Sequence, residues 1–266
     1  MRQSRGNGVI DIGKGPPLVL LPGIQGRWEW IAPTVHALAE RCRVIAFSFP
    51  GEPASGCAHD PASGFEMFVR QIDLMLDRAG LADAAVCGVS FGGLVAVHYA
   101  ARRPGRTRAL AIVSAPGPDW MPDDRARRYM RAPVRSMPAF AVTAAGRLLP
   151  EVRAALPPTR AWMSFLARHA GRAIAAPMSP ARMADRLRMV DPSDTAAACA
   201  RVCAPTLIIT GEPGLDRVVP VGSTRGYLRA IPGARLVQMD RTGHLGLVTR
   251  PHEFARIVGS YIESVS

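Results

Sequence analysis

The sequence predicts an α/β protein whose mostly parallel sheet is covered by helices on both faces. Three observations support this fold class. Short apolar runs, which are typical of buried strands, alternate with segments of helical periodicity along most of the chain. A serine flanked by glycines follows one of these runs directly and precedes a helical segment. One long central segment has helical periodicity but contains no strand-like run, which predicts a helical cap.

Strand and helix signals follow one another in the order that a parallel sheet requires. Apolar runs predict strands over 9–12, 18–21, 44–47, 84–87, 110–113, 206–210 and 236–239. Helical spacing predicts helices over 31–40, 65–78, 94–102 and 251–263. Gly80 is well placed to end the second of these helices, and Pro251 suits the first turn of the last one. The loops that follow parallel strands share one rim of the sheet, where active groups collect.

The segment 119–189 interrupts this alternation. It consists of arginine-rich helical pieces, and we expect its prolines to break them, at Pro133, Pro138, Pro150, Pro157, Pro158, Pro177 and Pro180. The sequence therefore predicts a core formed by 1–118 and 190–266, with 119–189 as a helical lid above the rim of the sheet.

Composition limits the partners and the location of the protein. The 266 residues have a formal charge of +12, and Lys14 is the only lysine. No nucleic-acid motif accompanies the arginines, so a solvated basic face is the simpler interpretation; attraction of anionic substrates or membranes is the alternative. Residues 1–17 lack the apolar segment of a signal peptide, and no apolar run reaches the length of a membrane span. We therefore expect a cytoplasmic protein that acts on a small molecule.

The cysteines agree with that location. Their number, five, is odd and their spacing is irregular, which predicts reduced thiols and no disulfide framework. Cys199 and Cys203 lie one helical turn apart, but a zinc site requires further ligands and no second pair is present. We expect neither a metal ion nor another cofactor, and the sequence does not predict the oligomeric state.

The stretch Gly88-Val89-Ser90-Phe91-Gly92 predicts a sharp turn from a strand into a helix. The small residues allow neighbouring backbone to approach, and the turn presents the Ser90 hydroxyl at a helix N-terminus, where developing negative charge is favoured. Ser90 is therefore the candidate nucleophile. The alternative is a glycine-rich turn that only packs a helix against the sheet.

A serine nucleophile needs a base and an orienting acid. Of the six histidines, His244 directly follows the last predicted strand and faces the same rim as Ser90, whereas His98 points into the packing. His244 is the candidate base, with a capping role as the alternative. Asp216, in the loop after strand 206–210, is the candidate acid; Asp119 is the alternative, and an Asx turn is the non-catalytic interpretation of Asp216.

The charge that develops on a substrate carbonyl requires hydrogen-bond donors. One donor is expected to be the main-chain N–H of Phe91, the residue after the nucleophile. The other is expected from the break after strand 18–21, with the N–H of Ile24 preferred and that of Gln25 next.

The order Ser90, Asp216, His244 resembles that of the α/β-hydrolase superfamily. The resemblance extends from about residue 9 to the end of the chain and includes Asp-x-Val-Val-Pro at 216–220 and the pair Gly243-His244. Two stretches depart from the family pattern. Pro22-Gly23 replaces the frequent His-Gly, and Ser-Phe-Pro-Gly-Glu-Pro at 48–53 replaces Asp-x-Pro-Gly-x-Gly.

The residues and the resemblance together predict a serine hydrolase of carboxylic esters that forms an acyl-enzyme. A serine nucleophile argues against haloalkane dehalogenase or epoxide hydrolase chemistry. The predicted substrate pocket comprises Gln25, Trp162, Met163, Phe165 and Leu166; simple lid packing is the alternative for the lid residues among them. Hydrolysis of a carbon–carbon bond in a β-diketone, a lactonase, an amidase, an acyltransferase, and a ligand receptor with the same pocket remain alternatives.

Overall fold

The structure is a computed structural model that describes residues 8–156 and 160–265. Within these residues seven strands form one sheet in the order β1-β3-β2-β4-β5-β6-β7. The strands are β1 (Val9–Ile12), β2 (Pro17–Leu21), β3 (Arg43–Phe47), β4 (Ala84–Val89), β5 (Thr107–Val113), β6 (Thr206–Thr210) and β7 (Arg235–Gln238). Only β1 pairs antiparallel, with β3, and every other neighbouring pair in this sheet is parallel. The predicted α/β fold class is confirmed.

The helices of the described chain fall into two groups. Those outside the central segment are α1 (Ala32–Leu38), α2 (Glu66–Arg78), α3 (Phe91–Arg102), α8 (Pro192–Cys199), α9 (Val221–Arg225), α10 (Tyr227–Ala230), α11 (Gly246–Thr249) and α12 (Pro251–Ser264). Those of the central segment are α4 (Asp124–Arg131), α5 (Pro133–Ala155), α6 (Arg160–Ala175) and α7 (Pro180–Arg188). No strand lies among the described residues of 119–189. The division into core and lid stays a prediction.

The core consists of two apolar layers, one on each face of the sheet. Successive residues of a strand point to opposite faces, so Val19 and Leu21 pack in one layer while Leu18 and Leu20 pack in the other. The first layer is covered mainly by α2 and α3, and the second by α1 and α12. Because both faces are buried, the strands read as continuous apolar runs, and the sequence could therefore locate them.

The central segment corrects one prediction. Pro138 and Pro150 do not break a helix but lie inside α5, whereas Pro133 and Pro180 occupy first turns, as prolines prefer. A proline within a helix leaves the carbonyl four residues earlier without its partner. Those carbonyls belong to Val134 and Gly146, and both residues are exposed, so water can satisfy them. Pro157 and Pro158 lie outside the described residues.

Cys199 and Cys203 differ in their position and exposure. Cys199 ends α8 and is buried, whereas Cys203 lies beyond the helix and is exposed, so the two are not a turn apart on one helix as predicted. In residues 8–156 and 160–265, no group of three or more His, Cys, Asp or Glu side chains is arranged to hold a metal ion. No helix in the same part of the chain has both the length and the apolar character required to cross a membrane.

Candidate active site

Ser90 lies at the turn between β4 and α3 in a backbone conformation that L-residues rarely adopt, with φ 54° and ψ −121°. Such a conformation costs on the order of 1–3 kcal/mol and persists only where the surroundings enforce it. Here the neighbouring glycines do so. A Cβ atom on Gly88 would lie 2.0 Å from the carbonyl oxygen of Gly92, and one on Gly92 would lie 2.4 Å from that of Pro22. The glycines therefore allow β2, β4 and α3 to meet beneath Ser90.

Hydrogen bonds hold this turn in place. The Ser90 N–H donates to the carbonyl of Val113 at the end of β5, over 2.8 Å, and the Gly93 N–H donates to the carbonyl of Ser90. Ser90 is 9% exposed. The nucleophile candidate is thus nearly buried at the carboxyl end of the sheet, as its position after a strand predicts.

His244 and Asp216 lie side by side in the loops that follow β7 and β6. The Nδ1 atom of His244 is 3.4 Å from Oδ2 of Asp216, which is the distance of an ion pair and longer than a strong hydrogen bond. The loops are packed closely, since a Cβ on Gly243 would lie 2.5 Å from the carbonyl oxygen of Leu215. The structure therefore brings the predicted acid to the predicted base. Asp119, the alternative acid, is exposed and lines a surface cavity of about 220 Å³ together with Pro118 and Arg229.

Neighbouring groups favour the charged forms of Asp216 and His244, although both side chains are largely buried. Burial disfavours ionised Asp216, but His244 and the N–H groups of Val218 and Val219, which donate to Oδ1 over 3.1 and 3.0 Å, hold its pKa below the ordinary value. Burial likewise disfavours the cationic form of His244, but Asp216 outweighs this effect and raises the pKa of His244. The pair is therefore suited to accept a proton on the imidazole.

The turn that follows β2 lies next to Ser90. The Gly26 N–H donates to the carbonyl of Gly23 over 2.9 Å, which closes a tight turn around Ile24 and Gln25. A Cβ on Gly23 would lie 3.5 Å from Cβ of Ser90 and 2.9 Å from Oε1 of Gln25. The turn therefore brings Gln25 close to the nucleophile candidate. Phe91 is the first residue of α3, so its N–H has no partner within the helix. The two predicted oxyanion donors thus belong to elements that meet at Ser90.

Arg186 is a residue near this turn that sequence reasoning missed. It lies on α7, is fully buried, and donates from Nη1 to the carbonyl oxygen of Ile24 over 2.7 Å. Its Nη2 donates to Oε1 of the buried Glu52 over 2.7 Å, and the ring of Phe49 lies beneath the guanidinium. The only sequence signal was Glu52 itself, which stands where the family pattern departs. A buried carboxylate needs a cation, and nothing in the local pattern of α7 indicates which arginine supplies it.

Glu151 is a second residue that sequence reasoning missed. It lies near the end of α5, is fully buried, and accepts a hydrogen bond from the N–H of Leu245 over 2.7 Å. Leu245 follows His244, so the central segment contacts the histidine loop through a carboxylate. No sequence signal distinguishes Glu151, because a glutamate in a helix is ordinarily solvated.

The predicted pocket residues of α6 differ in burial according to the side of the helix on which they lie. Phe165 is buried, while Trp162 and Leu166 are partly buried and pack against the same apolar layer. Met163 is 62% exposed and does not pack with them, so its place in an apolar pocket stays a prediction. The inward-facing positions 165 and 166 lie three and four residues after position 162, and position 163 is turned about 100° away from the centre of this face.

Histidines other than His244 are engaged elsewhere. His98 is fully buried and stacks on Phe65, with ring centroids 3.9 Å apart, as its predicted packing role requires. His59 pairs with Asp185 over 3.0 Å, and His169 stacks on Phe165. None of these contacts is to Asp216.

Comparisons with known proteins agree with the architecture. The chain is 28% identical over 254 residues to the pimeloyl-[acyl-carrier protein] methyl ester esterase of Nitrosomonas europaea, covering 91% of this chain and 94% of that protein. It is 29% identical over 247 residues to a protein of Azorhizobium caulinodans that is provisionally named a carbamate hydrolase, covering 91% and 89%.

Solved structures show the same fold. The enol-lactonase from Burkholderia xenovorans superposes with a TM-score of 0.76 at 23% identity, covering 96% of this chain and 95% of that one. An esterase from Exiguobacterium antarcticum gives 0.77 at 20% identity, covering 96% and 94%. The model of the alpha/beta hydrolase fold family matches residues 16–251. The chain therefore belongs to the α/β-hydrolase family.

Proposed function

We propose that this protein is a serine hydrolase of carboxylic esters, with Ser90 as nucleophile, His244 as base and Asp216 as the carboxylate that orients His244. The observation that carries the proposal is the arrangement on one rim of the sheet. A serine held at φ 54° follows β4, and a buried His244–Asp216 pair occupies the loops after β7 and β6. Family membership and relatives named as hydrolases, one of them a methyl ester esterase, support an enzyme of this kind.

In the proposed reaction, Oγ of Ser90 attacks the ester carbonyl while His244 takes the hydroxyl proton. The N–H groups of Phe91 and Ile24, with that of Gln25 as the alternative, donate to the carbonyl oxygen as it becomes negative. The carbon–oxygen bond to the alcohol then breaks, and His244 gives its proton to the leaving alcohol. Water attacks the acyl-enzyme in the same way, which releases the acid and restores the Ser90 hydroxyl.

We further propose that 119–189 forms a lid and that Gln25, Trp162, Phe165 and Leu166 line the acyl pocket. Three contacts from this segment to loops that follow strands support the lid. Trp30 donates from Nε1 to the carbonyl of Ala176 over 3.0 Å, and the other two are the hydrogen bonds of Arg186 and Glu151 described above.

Carbamate hydrolysis is a second candidate, supported by the name of the Azorhizobium relative. A carbamate carbonyl is attacked by the same serine in the same way, and loss of its alcohol leaves a carbamoyl group on Ser90 where an ester leaves an acyl group. We also propose a cytoplasmic location, which the five free cysteines support.

Active-site labelling tests the proposal. A fluorophosphonate should label the protein once, on the peptide that contains Ser90, with loss of fluoride. Ser90→Ala should abolish labelling and turnover. Ser114→Ala is the matched control, because Ser114 also ends a strand with positive φ, 43°, and is buried. The control should label normally, whereas persistent labelling of Ser90→Ala would exclude Ser90 as the nucleophile.

A substrate panel then separates the reaction classes. p-Nitrophenyl esters of increasing acyl length, an aryl carbamate and a lactone are compared with the same enzyme preparation. Multiple turnover that is fastest on esters supports the proposal, and preference for the carbamate supports the second candidate. A large thermal shift without multiple turnover on any substrate would indicate a ligand receptor and contradict both.

A further inference from the structure

Glu151 combines full burial with a position on the catalytic loop. Its Oε1 accepts the Leu245 N–H over 2.7 Å, and the amide of Gly243, on the other side of His244, also stabilises the carboxylate. The second oxygen, Oε2, is buried without a hydrogen-bond partner. The carboxylate therefore faces the backbone on both sides of the histidine, from a helix 94 residues away in the sequence.

The charged groups that act on Glu151 belong to the proposed active site. Burial raises the pKa of Glu151 to about 7; the amides of Leu245 and Gly243 and the nearby His244 oppose this shift, and Asp216 adds to it. In turn, Glu151 acts together with Asp216 to raise the pKa of His244. One imidazole thus lies in the field of two carboxylates from two different parts of the chain.

We propose that Glu151 is a positioning residue for the hydrolytic reaction, which holds the His244 loop and stabilises the imidazolium that forms when Ser90 loses its proton. This inference rests on the proposed function of Ser90 and His244. Glu151 touches neither substrate nor Ser90 in this role and acts only through the histidine.

The hydrogen bond from the Leu245 N–H does not by itself require a carboxylate at this position. A neutral acceptor such as glutamine would bind the Leu245 N–H equally well, without the penalty of a buried charge whose second oxygen has no partner. A favourable interaction with a cation that forms during the reaction offsets that penalty, and His244 is the group that becomes cationic. The charge, and not the hydrogen bond alone, is therefore the feature to test.

The sign of the expected effect follows from electrostatics. Glu151→Gln keeps the acceptor for Leu245 but removes the negative charge, so the imidazolium of His244 loses stabilisation and its pKa falls. Because the pKa of Glu151, about 7, and the raised pKa of His244 place both groups in one pH range, their titrations are coupled. With the carboxylate removed, the acid side of the kcat/KM profile, where protonated His244 cannot act as base, should move to lower pH. We expect a shift of about half a pH unit or more, which is roughly a threefold change in the fraction of neutral imidazole. Turnover on the plateau should fall several-fold.

The decisive measurement is a titration of His244 by NMR in protein with ¹³C-labelled histidine. The signal of His244 is assigned by its loss in His244→Asn. Glu263→Gln is the matched control, because Glu263 is an exposed glutamate paired with Arg41 on the surface. The midpoint of His244 should fall in Glu151→Gln and stay unchanged in Glu263→Gln. An unchanged or higher midpoint in Glu151→Gln would overturn the proposal.

A second variant distinguishes the effect of the Glu151 charge from that of its hydrogen bond with Leu245. Glu151→Asp keeps the charge but shortens the side chain, so we expect lower turnover with a His244 midpoint close to that of the wild-type protein. A midpoint as low as that of Glu151→Gln would contradict a role for the charge. If Glu151→Gln does not fold, Glu151→Met, which also removes the charge and has a similar size, takes its place in the titration. Because the titration does not depend on turnover, failure of the proposed function would appear in the substrate panel and not here.

Discussion

At the scale of single residues, the candidate site contains a strained backbone conformation and a buried charge, and specific neighbours stabilise each of them. Ser90 has a strained backbone between glycines, and Asp216 is a buried carboxylate that accepts two main-chain N–H groups. The N–H donors keep Asp216 ionised, and ionised Asp216 raises the pKa of His244. Local strain thus characterises the turn at Ser90, and main-chain donors keep the buried Asp216 ionised.

The role of Asp216 is testable by an isosteric change. Asp216→Asn removes the charge that orients His244 and stabilises its cation, so we expect the rate of ester hydrolysis to fall by roughly three to four orders of magnitude, with the fold retained. Steady-state kinetics and circular dichroism measure the two effects. Asp119→Asn is the control, since Asp119 is exposed, and it should retain activity. Near-normal hydrolysis by Asp216→Asn would rule out this residue as the acid.

His98, which lies outside the candidate site, should make the free energy of unfolding depend on pH. Burial lowers its pKa to about 4; Arg102 and Arg201 act in the same direction, and Asp194 at 3.9 Å opposes them. Between pH 6.5 and 4 the unfolded chain therefore binds a proton at His98 that the folded protein does not, and the free energy of unfolding falls as pH falls through this window.

We expect His98→Phe, which keeps an aromatic ring on Phe65, to remove this contribution, on the order of 2–3 kcal/mol between the two pH limits. Urea denaturation at pH 7 and pH 4.5 measures it. The exposed His252→Gln is the control and should keep the wild-type pH dependence. Identical pH dependence in His98→Phe and wild type would show that His98 does not titrate in the way described.

At the scale of elements, α7 is joined to the turn after β2 by one buried side chain. Arg186 donates to both Ile24 and Glu52, and neither Arg186 nor Glu52 has exposed side-chain surface. A Cβ on Gly26 would lie 2.4 Å from this guanidinium, so the turn accommodates it only because residue 26 is glycine. The orientation of the turn that is expected to supply an oxyanion donor thus depends on the central segment.

Removing one member of this buried pair should be costly. Arg186→Met leaves the buried Glu52 with only the partly exposed Arg182 as its cationic partner, and we expect a loss of about 3–5 kcal/mol in the free energy of unfolding. Arg182→Met is the matched control: it contacts the same carboxylate over 3.1 Å but is partly exposed, so it should cost less than about 1 kcal/mol. Chemical denaturation compares them.

The double variant Arg186→Met/Glu52→Gln should recover most of the lost stability, because no buried charge remains without a partner. Equal losses in the single and the double variant would show that packing, and not charge pairing, explains the effect of Arg186.

At the scale of the whole molecule, positive charge is concentrated on the central segment. Between residues 125 and 184 there are eleven arginines, and Glu151 is the only acidic residue. Since Glu151 is buried and Asp124 and Asp185 lie just outside this range, the described surface between residues 125 and 184 carries arginine charges and no exposed carboxylate. The field of this segment should therefore attract anions toward the loops that it contacts.

The positive charge of the central segment predicts that kcat/KM for an anionic substrate depends on ionic strength. The kcat/KM for a mono-p-nitrophenyl dicarboxylate should fall roughly two- to fivefold as ionic strength rises from about 0.02 to 0.3 M, because salt screens attraction beyond the Debye length. A neutral p-nitrophenyl ester of the same chain length is the control and should change little. The same salt dependence for both esters would favour the interpretation of a merely solvated basic face.

The sequence by itself determined the order of strands and helices and the turn at Ser90, because both depend on neighbours in the chain. A strand buried on both faces is a continuous apolar run, and a tight strand-to-helix turn needs glycine at specific positions. The same local reasoning located the loops that carry Asp216 and His244. It failed at Pro138 and Pro150, where solvent exposure of the carbonyl four residues earlier decides whether the helix continues.

Only the tertiary structure decided which charges are buried. Glu52 meets Arg186 across 134 residues, and Glu151 meets Leu245 across 94. Charged side chains in helices and loops are usually solvated, so local pattern assigns them to the surface, and no periodicity in the chain indicates their partners. These long-range contacts connect the central segment to the turn after β2 and to the loop of His244. Their energies come from desolvation and pairing, which exist only once the chain has folded.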